Sequence, residues 1–330
     1  MSDAVSMRVN QHRAREVGRG RNAERPTQIP KTGWKDILLR VKDEISDDRV
    51  GTVAAGTTFF VLLALFPGLG ALVSVYGLVA DPVTIQNHLS DLSGYVPTAM
   101  LDLVGGELKR LSATQPDTLG LGFIFGLLLA LWSANNGMKA IFDALNVAYD
   151  EVEKRSFFKL LMVSMTFTLG AVIFMILVLN VVIGVPLLLN YLPLGPLGSV
   201  LLSILPGILL LAVATFGIAL LYRFGPSRTP AQWRWVTPGS VATAFVWLIG
   251  SALFSWYLAN WGDYSGTYGS LGAAIGAMMW IYVSLWIVLA GAELNAEIEH
   301  QTARDSTVGP EKPLGTRGAS MADKVGEARA

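Results

Sequence analysis

From Leu160 to Tyr222 the chain carries no charged residue. A membrane-spanning helix needs about 20 apolar residues, so this run is too long for one span. Gly184, Pro186, Asn190, Pro193, Gly195, Pro196 and Gly198 interrupt it. Glycine and proline clusters of this kind break helices, so the run predicts two spans, about 160–184 and 198–222, joined by a short turn. Similar uncharged runs cover Val50 to Ala80, Thr118 to Met138, Trp235 to Gly262 and the stretch between Asp263 and Glu293. The prediction is an all-α, polytopic membrane protein with six transmembrane helices, at about 50–80, 118–142, 160–184, 198–222, 236–260 and 268–296.

The charges fall between and outside these runs. They make up only 15% of the chain, against roughly 25% in soluble domains. With six spans and the N-terminus inside, every Lys and Arg except Lys109 and Arg110 lies on the inner side. The positive-inside rule therefore places both termini in the cytoplasm. Residues 1–32 are Arg-rich and without apolar periodicity, and residues 302–330 are polar, so both are predicted to be disordered tails flanking a membrane domain at 33–301. Trp34, Ile37, Leu38, Val41 and Ile45 recur at helical spacing, which predicts a short amphipathic helix. It lies either in the inner headgroup layer with Trp34 as anchor, or against the membrane domain's own loops. The chain has no cysteine, which excludes disulfides and thiolate chemistry.

Several motifs together are specific. Thr57-Thr58-Phe59-Phe60 with Leu65-Phe66-Pro67 marks the first span, and Leu131-Trp132-Ser133-Ala134 with Gly137-Met138 and Ala144-Leu145-Asn146-Val147-Ala148-Tyr149 the second. Leu221-Tyr222-Arg223-Phe224-Gly225-Pro226 leads to Trp233-Arg234-Trp235-Val236-Thr237-Pro238-Gly239. Tyr268-Gly269-Ser270-Leu271-Gly272-Ala273 and Gly291-Ala292-Glu293-Leu294-Asn295-Ala296-Glu297 open and close the last span. In this order the motifs resemble the YihY/virulence factor BrkB family of bacterial inner-membrane proteins, over roughly residues 35–300. The resemblance implies six helices with both termini inside. It also brings a former family label, ribonuclease BN. The residues give that label no support: His12, His88 and His300 lie far apart in sequence, and no His/Asp cluster has metal-ligand spacing.

The candidate site residues are polar groups within spans. Trp132, Ser133, Asn135 and Asn136 in the second span and Asn180 in the third serve either as hydrogen-bonding glue between helices or as the lining of a cavity. Gly269, Gly272 and Gly276 form a smooth stripe for close packing, while Tyr264, Tyr268 and Ser270 before it offer a broken helix start. Glu293 and Glu297 share a face at the inner end of the last span, with Asn295 between them. An ionisable group at membrane depth is a functional candidate, and a carboxylate at a helix C-terminus wants a cationic partner. Lys139 and Arg223, both at inner ends of spans, are the expected partners. Leu65-Phe66-Pro67-Gly68 echoes Ile204-Leu205-Pro206-Gly207, as inverted three-span halves would.

The leading expectation is a permease-like transporter of a small solute or ion. The alternative is a non-transporting scaffold or envelope factor; a membrane-tethered ribonuclease is the third. No enzyme activity, cofactor, metal or nucleic-acid partner is expected. The expected partners are the bilayer, anionic lipids through the basic N-terminal tail, and a second copy of the chain in a homo-oligomer.

Overall fold

The computed structural model describes residues 3–76, 101–102, 104–106, 121–181, 185, 195–261 and 271–329. Among these the chain is helical: α1 (Asp3–Arg13), α2 (Lys31–Asp47), α3 (Val50–Tyr76), α4 (Leu121–Ala148), α5 (Phe157–Leu179), α6 (Gly195–Phe224), α7 (Trp233–Asn260), α8 (Gly272–His300) and a short α9 (Ser320–Asp323). The described residues contain no strand beyond an isolated bridge between Ala231 and Thr307. Within α3, α5, α6, α7 and α8, five segments are long and apolar enough to cross a membrane. The expected second span coincides with α4, which continues past Lys139 and Asp143 to Ala148.

The tertiary contacts pair α3 with α4 and α7 with α8 most extensively, and α8 also packs on α3, α2 and α4. The main core lies at one end of the bundle. It is built from the start of α3 (Val50, Ala54), the end of α4 (Ala144, Leu145, Ala148), the second half of α6 (Ala214, Ile218, Tyr222), the first half of α7 (Val236, Ala244) and the middle and C-terminal part of α8 (Ile281, Leu285, Leu289, Ala292, Ala296). Helices that alternate in direction bring these ends together. The opposite halves expose Leu128, Leu129, Ile173, Leu177, Ile204, Ile208, Leu253 and Trp256, as side chains facing hydrocarbon would. Pro67 and Pro206, the two echoed prolines, both lie inside continuous helices.

Both chain ends differ from the expectation of disorder. Arg21 is buried, and its guanidinium donates to Glu16, to the carbonyl of Gln301 at 3.1 Å and to that of Gly326 at 2.7 Å. Arg317 is likewise buried and donates to the carbonyls of Ala303, Arg304 and Ala322. Backbone bonds join Ala303 to Arg21, Gln232 to Ser306, Val308 to Pro230 and Gly326 to His300. Arg21 thus caps a carbonyl of the other tail, while Arg317 caps carbonyls of its own. α2 packs on α8 and the chain ends: Trp34 and Val41 border a small core of Ala23, Ile29, Ile37, Trp235 and Ile298. Of the two placements open to it, the structure shows packing against the protein itself.

Candidate functional site

Two places gather the polar residues. The first is the C-terminal end of α8, where Gly291 to Glu299 are buried apart from the half-buried Leu294. Tyr222 donates to the carbonyl of Val288 at 2.6 Å and lies 3.1 Å from Thr243 Oγ1, tying α6, α7 and α8 together. Gly291 lets this happen, since a Cβ there would run into Thr243 and Tyr222. Asn295 is buried and bonds the backbone of α7, its amide donating to the carbonyl of Val236 at 3.0 Å and its Oδ1 accepting from the Gly239 N–H at 3.1 Å. Pro238 sits between these residues and has no N–H to give the helix. The Asn295 side chain therefore bonds the α7 backbone on either side of the proline.

The carboxylates of α8 have partners other than the expected ones. Glu297 pairs with Arg40 of α2 and faces His300 Nδ1 at 3.0 Å. Arg40 also reaches Gln301 Oε1 and the Glu327 carbonyl, both at 2.7 Å. Glu299 pairs with Arg228, its two oxygens 2.8 and 2.7 Å from Arg228 Nη2. Burial alone would lower the Arg228 pKa; the Glu299 carboxylate more than offsets it, so Arg228 is held above the ordinary arginine value. Glu293 is buried, its Oε1 without a hydrogen-bond partner among the described residues, and it faces Asp48 and Glu44 rather than a cation. Outside the spans, burial first and the neighbouring carboxylates second raise Asp48 and push Glu44 up to about 7. Arg223 instead stacks on Trp233, 4.3 Å from the ring centroid, and on Phe224.

The second place is a groove of ≈ 510 Å³ between α3 and α4. Phe60, Leu63, Ala64 and Pro67 of α3 form one wall, and Ser133, Asn136, Lys139, Ala140 and Asp143 of α4 the other. The α4 residues recur every three or four positions, which places them on one helix face. None of the polar four has a hydrogen bond or ion pair among the described residues. Lys139 Nζ lies over the rings of Trp132 at 5.7 Å and Phe157 at 5.9 Å. Pro67 cannot donate to the Leu63 carbonyl, which leaves that oxygen without its usual helical bond.

Asn135, one residue away, points elsewhere: it is buried and accepts from Thr168 Oγ1 at 3.1 Å, joining α4 to α5. Asn180 is exposed and, among the described residues, bonds its own helix at the Ile176 carbonyl. Gly272 and Gly276 are buried in helix packing. Tyr264, Tyr268, Gly269 and Ser270 lie outside the described residues. Among the described residues no group of three or more His, Asp or Glu is placed to hold a metal ion. The sequence reading missed Asp143, although its position seven residues after Asn136 puts it on the same face.

The family described as virulence factor BrkB matches residues 41–315. The ribonuclease-like protein YfkH of Bacillus subtilis (strain 168) is 33% identical over 257 residues, 74% of this chain and 88% of its own length. A UPF0761 membrane protein of Haemophilus influenzae (strain 86-028NP) is 23% identical over 80% of this chain and 96% of its own. One of Vibrio atlanticus (strain LGP32) is 27% identical over 82% of this chain and 84% of its own. No solved structure matches the chain.

Proposed function

We propose, for a chain that belongs to the virulence factor BrkB family, a permease-like role in which a small polar solute or ion passes along the face of α4. One observation carries this reading: Ser133, Asn136, Lys139 and Asp143 line one groove and make no hydrogen bond or ion pair among the described residues. An unsatisfied polar group in hydrocarbon costs several kcal/mol, by order of magnitude, so such a row wants water or a polar ligand. The Pro67 break opposite adds the Leu63 carbonyl to it. In this reading the chain crosses the bacterial inner membrane six times, α4 supplying the remaining span, with both termini in the cytoplasm. The exposed Arg8, Arg15 and Arg25 then contact anionic lipid, and the exposed outer helix faces accept a second copy of the chain.

The close packing around Asn295 and Tyr222 favours a second reading, a non-transporting envelope factor. The name of the Bacillus subtilis relative raises nuclease activity; we propose none here, and cleavage of RNA by the purified chain would refute that.

The test uses the absence of native cysteine. Ser133→Cys and Asn136→Cys variants are exposed to a membrane-impermeant thiol reagent from the cytoplasmic side, with Lys139→Cys as the interface control. Labelling of the two deeper thiols supports an aqueous path. Labelling confined to Lys139→Cys rules it out.

A further inference from the structure

The groove between α3 and α4 contains two opposite charges that do not meet. Lys139 and Asp143 stand one turn apart on α4, about 6 Å along the axis, and both line the groove. They form no ion pair with each other or with any described residue. The order matters: a basic residue four positions before an acidic one is the weaker arrangement for a helical pair. A ligand bearing both charges satisfies both side chains at once. A simple anion would meet Asp143, and a simple cation would meet Lys139, so charge complementarity selects a zwitterion.

The remaining lining decides what kind of zwitterion. Phe60 and Leu63 are 49% and 57% exposed on the opposite wall, an apolar surface suited to an acyl chain rather than to a free solute. Trp132 and Phe157 flank the Lys139 ammonium, and tryptophan is enriched at the headgroup level of a bilayer. Asn136 and Ser133 continue the polar row about 4.5 and about 9 Å deeper than Lys139, within reach of ester oxygens. The volume of ≈ 510 Å³ falls inside the roughly 300–1,000 Å³ range of ligand sites.

We propose that this groove binds a phospholipid whose headgroup joins a phosphate to a primary ammonium, the phosphate held by Lys139 and the ammonium by Asp143. This rests on the permease reading only in treating the groove as a ligand site, and names the class of molecule that enters it. The acyl chain lies against Phe60 and Leu63, and Asn136 offers its amide to the glycerol esters.

The test is native mass spectrometry of the delipidated full chain titrated with phosphatidylethanolamine or phosphatidylglycerol of identical acyl chains. The unmodified protein should retain phosphatidylethanolamine about tenfold better, the scale of one charge-assisted bond. Asp143→Asn should abolish that preference, and Lys139→Gln should reduce retention of both lipids. Equal retention by the unmodified protein overturns the proposal, as does a preference that survives Asp143→Asn. A dimer that excludes both lipids assigns the groove to a second copy and also overturns it. Should either variant fail to fold, the lipid co-purifying with the unmodified chain decides: enrichment in the ethanolamine lipid over the source membrane supports the site, and bulk composition refutes it. The two readings of the groove fail separately. Ethanolamine-lipid preference without labelling of Asn136→Cys keeps the lipid site and removes the aqueous path; labelling without preference does the reverse.

Discussion

Gly239 and Asn295 meet where two helices cross: the Gly239 N–H donates to Asn295 Oδ1 at 3.1 Å, and a Cβ at position 239 would run into the Asn295 side chain. Substitutions at the two positions should therefore fail by different routes. Gly239→Ala overpacks the crossing and should cost about 1–3 kcal/mol. Asn295→Ala removes two buried bonds to α7 and should cost about 1–3 kcal/mol. The two losses should be less than additive, because both act on one contact. Unfolding in mixed detergent measures each variant and the pair.

Arg228 and Glu299 are both nearly inaccessible, and Ser306 Oγ also donates to Glu299 at 2.8 Å. Breaking such a pair strands a buried charge. Arg228→Gln should lower stability by about 3–5 kcal/mol. Arg228→Gln combined with Glu299→Gln should recover part of that loss. A double variant no better than the worse single one would show that the pairing is not what the first substitution removed.

Glu44 gives a pH dependence of definite sign. Its folded carboxyl titrates at about 7, raised from an ordinary value of 4.5 by burial and by Glu297 and Asp48. The folded state thus holds a proton that the unfolded state releases between these values, and stability falls as pH rises through that window. Glu44→Gln should flatten the midpoint between about pH 4.5 and 7. An unchanged slope would assign the dependence to another group.

Arg21 joins the N-terminal segment to the C-terminal one through the carbonyls of Gln301 and Gly326. Arg21→Ala should leave the bundle folded while both ends become open to protease. Limited proteolysis should then remove residues near 1–30 and 302–330 faster than in the unmodified chain; equal rates would show that the clasp does not depend on this side chain.

The membrane class was legible because it rests on uncharged runs, a property of the chain itself. The core's position at one end was not, since it follows from which halves of alternating helices converge. Tertiary partners were the least legible. Arg40 and Glu297 stand far apart in sequence, whereas Lys139 and Arg223, the partners suggested by span ends, stack on aromatic rings. The chain ends misled for a related reason: Arg21 and Arg317 read as solvent-exposed charge, because their acceptors are backbone carbonyls that leave no mark in a sequence. The polar groove was half visible. Ser133, Asn136 and Lys139 stood out by type, but only the structure separates their face from that of Asn135.

The clasp of the two chain ends over α2 and the C-terminal end of α8 also bears on how the bundle can open. The segments before the first span and after the last are stitched to each other and to the α6–α7 loop through Thr229, Pro230 and Gln232. Splaying the helices at that end would tear many buried bonds, whereas the described residues of the opposite halves expose large apolar side chains. Among the described residues, the clasped side is the end where opening the bundle would break the most polar contacts.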